Sequence, residues 1–100
     1  MDFCFEWDPN KAAANPRKHG VSFDQAATVF LDPRALSLFD DEHGDAEDRW
    51  ITLGLSPVSG LLVVHHTYEQ EGTSAVRIRI ISSRKATKRE VRQYTELNEP

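Results

Sequence analysis

The sequence predicts an α+β domain, and three observations carry that prediction. Two helix starts with their own capping signals lie near the N-terminus, four short apolar runs separated by turn signals fill the middle, and a third capped helix closes the chain. Short connections between the four runs favour antiparallel pairing. The expected architecture is therefore two short N-terminal helices, a four-stranded antiparallel sheet and a C-terminal helix, with the helices packed against one face of the sheet.

Each element has a local reason. Residues 1 to 7, MDFCFEW, alternate so that Phe3, Phe5 and Trp7 share a side, which suits an extra edge strand. Asp8-Pro9 opens the first helix, with Asp8 as N-cap and Pro9 where its missing N–H costs nothing. Pro16 falls inside NKAAANPRKHG and predicts a kink or an end, which would leave Arg17, Lys18 and His19 in an irregular turn before Gly20. Ser22 to Gln25 matches a capping box, and Phe23, Ala26, Ala27 and Phe30 then form one apolar stripe that Asp32-Pro33 ends. Strands are expected at 35–39, 49–56, 61–68 and 75–81, divided by an acidic loop, by Pro57 to Gly60 and by a loop containing Gly72. Thr87 to Glu90 offers a second capping box and opens the last helix, with Val91, Tyr94 and Leu97 on its apolar side.

Composition bounds the function. One hundred residues, 39% hydrophobic and 28% charged, make a single domain spanning 1–100 with one core and a surface groove as its only room for a site. Cys4 is the single cysteine, so an intramolecular disulfide and a Cys-rich zinc site are both excluded. A cytoplasmic location is expected, with no membrane association, because no leader-like segment or long apolar run is present.

The net charge of −4 conceals a division. Residues 40–48 carry six acids and no base, whereas residues 77–92 carry seven bases against the single acid Glu90. Screening acts over roughly 8 Å at physiological ionic strength, so a local basic excess still attracts phosphate.

That basic segment supplies most of the candidate chemistry. The period of two on a strand places Val76, Ile78 and Ile80 on one face and Arg77 and Arg79 on the other, about 7 Å apart, a spacing that can cradle phosphate. The alternative is a solvated sheet face with each arginine paired to a neighbouring Glu. If the helix runs from Arg84, then Arg84, Lys88 and Arg92 form one stripe, with Lys85 beside it near an anion-attracting helix start. Lys18 and His19 form a second basic cluster, and histidine is the side chain best suited to exchange a proton near neutral pH. A metal-free ribonuclease needs a base for the 2′-hydroxyl, cations for the phosphorane and an acid for the leaving oxygen, roles that His19, the arginines, Glu90 and Tyr94 can fill. A histidine at a helix C-terminus is also a common partner of the helix dipole. His65 and His66 point to opposite faces of a strand, so with His43 they make a poor metal site. Cys4 reads as a small core residue, and Trp7, Trp50, Tyr68 and Tyr94 serve either the core or base stacking.

Trp7-Asp8 with Lys11, Asn15 and Lys18-His19-Gly20, followed by Ile81-Ser82-Ser83-Arg84 with Ala86, Glu90 and Tyr94, resembles the BrnT family of type II toxins, related to the RelE-like ribonuclease fold. The resemblance implies a metal-independent endoribonuclease that cleaves RNA, inhibits translation and needs no cofactor. It also implies a ribbon-helix-helix, BrnA-like antitoxin that neutralises the toxin and through which alone operator DNA is contacted. Carried over residue by residue, it gives Arg79, Arg84, His19, Glu90 and Tyr94 catalytic roles and Lys18 a role in substrate positioning or proton transfer; the basic segment adds Arg77, Lys85 and Lys88, with Lys18, as expected RNA-binding residues. The rival is a catalytically inactive binding module that holds a DNA-binding protein through residues 40–48 and tunes repression.

Overall fold

Each helix begins where its capping residues stand. In the computed structural model, which describes residues 2–41 and 48–99, Asp8 accepts from the Asn10 N–H at 2.7 Å and α1 (Pro9–His19) follows. Ser22 and Gln25 close a reciprocal capping box before α2 (Phe23–Ala27), which tightens into a 3₁₀ turn at Thr28–Leu31. Thr87 and Glu90 do the same for α3 (Lys88–Leu97). One expectation fails here: α1 runs through Pro16 to His19 instead of kinking or ending. Pro16 begins the last turn, so it deprives only the Ala12 carbonyl of its helical donor. Gly20 then closes the helix at φ 71°, its N–H donating to the Pro16 carbonyl at 2.8 Å.

The sheet is mixed, and the expected four antiparallel strands become six. β1 (Asp2–Glu6), β2 (Leu36–Phe39), β3 (Arg49–Ser56), β4 (Gly60–Thr67), β5 (Glu69–Glu71) and β6 (Ala75–Lys85) lie in the order β1-β6-β4-β3-β2, with β5 also on β6. β2, β3, β4 and β6 form the antiparallel meander, whereas β1 pairs with β6 in parallel, Phe3 opposite Val76 and Phe5 opposite Ile78. Parallel pairing requires a long crossover, and here the whole of residues 7–74 intervenes.

Alternation then divides the faces. Phe3, Phe5, Leu62, Val64, Val76, Ile78 and Ile80 meet Val21, Phe23, Ala26 and Val29 in the core beneath α1 and α2. Cys4 takes the opposite face and is exposed, which corrects its reading as a core residue. The helices do not all share one face either. Gln93 and Leu97 of α3 border a groove with Leu36, Leu38, Leu53 and Val63, side chains that point away from the core cluster. The apolar side of α3 is thin: none of its residues is buried, and Leu97 is 70% exposed.

One irregularity positions the site. Ile80 pairs with His66 and Ser82 with His65, so Ile81 is an extra residue, a bulge in β6. Ser83 therefore continues the buried side begun by Ile78 and Ile80, and Arg84 joins the face that carries Arg77 and Arg79. Because β6 extends to Lys85, Arg84 and Lys85 belong to a strand, and the expected helical stripe Arg84-Lys88-Arg92 does not form. Among the described residues no helix is long and apolar enough to cross a membrane.

Candidate functional site

Asn10, Lys11, Ala14, Asn15 and Lys18 recur at helical spacing on α1 and, with His19, face Ile81 and Ser82 of β6 across a cleft of about 310 Å³. The cleft has a buried pin. Asn15 Nδ2 donates to the Val21 and Ser83 carbonyls, both at 2.8 Å, and its Oδ1 accepts from the Ser83 N–H at 3.3 Å. The C-terminal end of α1 is thereby fixed to β6 just past the bulge, with Lys18 and His19 held at the surface. The carbonyl end of a helix favours a cation such as Lys18.

Ser82 links the cleft to the arginines. Arg84 stands two residues further on the same strand face, about 7 Å away. Its guanidinium grips Glu90 through both nitrogens, at 2.8 and 3.0 Å, while the same carboxylate accepts from the Thr87 N–H at 2.8 Å. Those hydrogen bonds, from Arg84 above all and then from Thr87, outweigh partial burial and hold the Glu90 carboxyl down at about 2. Glu90 in turn raises the Arg84 guanidinium above its ordinary value. The Tyr94 hydroxyl donates to Asp32 Oδ2 at 2.6 Å, and burial together with that carboxylate pushes the phenol up to about 12. Glu90 and Tyr94 thus hold α3 in place and are poorly suited to exchange protons near neutrality.

The remaining candidates lie apart. Arg77 forms an ion pair with Glu71 of β5. Arg79 borders a shallow pocket with Glu6, Trp7 and Asp8, while Lys85 and Lys88 are exposed around the turn into α3. Lys18 and His19 share one cleft and Arg84 and Glu90 one ion pair, but no single pocket gathers all the candidates. Sequence reasoning gave no role to Asn10 or Ser82, and Lys11, one helical repeat before Lys18, was the available signal for a longer cationic stripe.

His65 and His66 do face opposite ways. His66 is buried, its Nδ1 donating to the Thr67 carbonyl at 2.8 Å and its Nε2 accepting from the Thr52 hydroxyl at 2.6 Å. The tautomer follows because a carbonyl only accepts. Burial pushes this imidazole down to about 4. His43 lies outside the described residues, among which no three His, Cys, Asp or Glu gather as metal ligands would.

Residues 7–90 match the family described as "Ribonuclease toxin, BrnT, of type II toxin-antitoxin system". The chain belongs to the BrnT family. The matched span runs from the Trp7 that packs on Phe23 to the Glu90 that grips Arg84, so it takes in the α1–β6 cleft and leaves Tyr94 outside. The crystal structure of the Brucella abortus ribonuclease toxin BrnT has the same fold, with a TM-score of 0.58 and 20% identity over 88% of this chain and all of that one. No curated protein matches the chain. As a BrnT-family toxin it is one half of a type II toxin-antitoxin system, and an antitoxin partner follows from that membership.

Proposed function

We propose that this BrnT-family chain is a metal-independent endoribonuclease of RelE-like mechanism that cuts RNA at the cleft between α1 and β6, inhibits translation and arrests growth in the cytoplasm. A ribbon-helix-helix, BrnA-like antitoxin neutralises it and makes the contacts to operator DNA. The observation that carries this reading is the lining of the cleft: Lys11, Lys18 and His19 face Ser82, with Arg84 one same-face position beyond. That set offers cations and an imidazole to a phosphodiester, and the cleft lining contains no carboxylate pair to hold a divalent ion.

The chemistry follows from the residue types. His19 accepts the proton of the 2′-hydroxyl, whose oxygen forms a bond to the adjacent phosphorus as the bond to the 5′-oxygen breaks and that oxygen takes up a proton. Lys18 and Arg84, with Lys11, face the charge that builds on the phosphorane. Arg79, Arg77, Lys85 and Lys88 extend the cationic track for the strand on either side. Glu90 and Tyr94 act as positioning residues, the first by orienting Arg84 and the second by tying α3 to Asp32.

Induced expression of the wild type and of His19→Ala, with growth and total RNA followed together, tests the reading. His19 is exposed, so the variant is expected to keep its Tm while cleavage falls by about 10²–10⁴-fold, and wild-type cleavage is expected to persist in EDTA. Intact RNA with folded wild-type protein would move the assignment to the inactive binding module, a reading favoured by Arg77 and Arg84 already being paired with acids of the same chain.

A further inference from the structure

The far edge of the sheet carries an aromatic surface that the cleavage site does not use. Phe39 of β2 and Trp50 of β3 are register partners, their rings 5.5 Å apart at 78°, and Tyr68, just past β4, lies 6.2 Å from Trp50. Phe30 packs edge-on against His66 at 4.8 Å, and the row beyond is open: Phe39 and Tyr68 are each 45% exposed. β2 is the outer strand of the sheet, about 14 Å from β6 by three strand spacings.

The rim of this surface is acidic. β2 leads directly into Asp40 and Asp41 and β3 begins after Asp48, with Asp41 and Asp48 exposed; Glu69, which follows Tyr68, is exposed too but stands opposite Arg77 of β6. Arg49, the base next to Trp50, alternates to the opposite face of β3. Such a rim repels the phosphates of RNA, and a second copy of this chain would set acids against acids. What fits is a planar cation that stacks on aromatic faces while its charge is met by carboxylates, which is the chemistry of arginine.

We infer that Phe39, Trp50 and Tyr68, rimmed by Asp41 and Asp48, form the docking surface for an arginine-rich segment of the antitoxin. The inference rests on the toxin reading above only for the partner's identity, since a DNA-binding antitoxin carries such cations. Docking at this edge leaves the α1–β6 cleft uncovered by the segment itself, so the toxin is captured at one end of the sheet and acts at the other.

The probe is a labelled oligo-arginine peptide titrated into the full chain, read by anisotropy and by tryptophan fluorescence. Binding is expected to weaken about tenfold or more in the charge-preserving variant Phe39→Ser with Tyr68→Ser, and likewise in Asp41→Asn with Asp48→Asn. The milder pair Phe39→Leu with Tyr68→Leu keeps the apolar surface and is expected to erase the preference for oligo-arginine over oligo-lysine. Unchanged binding in the ring variants would overturn the proposal, because attraction to net negative charge alone would then explain it. Displacement of the peptide by an RNA oligomer, with loss of RNA binding in the same variants, would overturn it too. In cells, the ring variant is expected to cleave RNA and to escape rescue by the co-expressed antitoxin; full rescue would overturn the proposal. A wild type that cleaves nothing would instead sink the ribonuclease reading, and the peptide titration would still decide the docking surface.

Discussion

At the scale of single residues, the two most perturbed groups do opposite things. Glu90 is held ionised by Arg84 and Thr87, so its stabilisation is complete above its ordinary value of 4.5 and is lost as pH falls toward about 2. Glu90→Gln is therefore expected to cost about 1–2 kcal/mol at neutral pH, with variant and wild type converging near pH 2 in urea melts. His66 is buried neutral, so the unfolded chain binds its proton first. Stability falls as pH drops from 6.5 to about 4, by an amount on the order of 3 kcal/mol, and His66→Gln should flatten that slope in a pH series of Tm. The Thr87–Glu90 half of this was legible as a capping box, but the Arg84 pairing and the burial of His66 were not. Arg84 and Glu90 stand six apart, a spacing that puts them on different faces of a helix and about 20 Å apart along a strand, and they meet only because a strand ends and a helix begins between them.

At the scale of elements, what could be read locally was read correctly. The Asp8 cap and the boxes at Ser22 and Thr87 involve atoms within three residues of one another, so the sequence window contains the whole interaction. Pro16 was misjudged because propensity does not register tertiary anchoring. Asn15, its neighbour, fastens the last turn of α1 to Ser83, a contact spanning 68 positions that no local signal announces. Asn15→Ala is expected to cost about 3 kcal/mol and to lower RNA cleavage along with stability, since the same side chain aligns Lys18 and His19. Pro16→Ala should raise stability by about 1–2 kcal/mol in denaturant titrations, by returning a donor to the Ala12 carbonyl. Gly54 is fixed by packing alone: a Cβ there would come within 2.6 Å of Val29 Cγ1, so Gly54→Ala should lower stability by about 1–3 kcal/mol.

At the scale of the whole molecule, charge is sorted along the sheet. The cations of α1 and β6 lie at one end, and Asp41 and Asp48 flank the far edge beside β2. The net charge of −4 therefore opposes a polyanion at long range, while in the proposed reading the cations of the cleft attract RNA at short range. The kcat/KM for RNA is expected to fall steeply as salt is raised from low ionic strength, with Lys18→Ala making that dependence shallower. The composition disclosed this division before any strand was placed. It could not disclose that β1 would lie parallel to β6, or that a bulge at Ile81 would turn Arg84 onto the face of Arg79, because both depend on partners chosen from the far end of the chain.

The pairing of β1 with β6 also places the toxin's assembly in time. β1 is made well before its partner β6, and α1 has no second wall for its cleft until Ile81 to Ser83 have been synthesised. A chain that ends before β6 thus carries Lys18 and His19 without the second wall of their cleft. In the reading proposed above, cleavage therefore begins only once β6 has been made and paired.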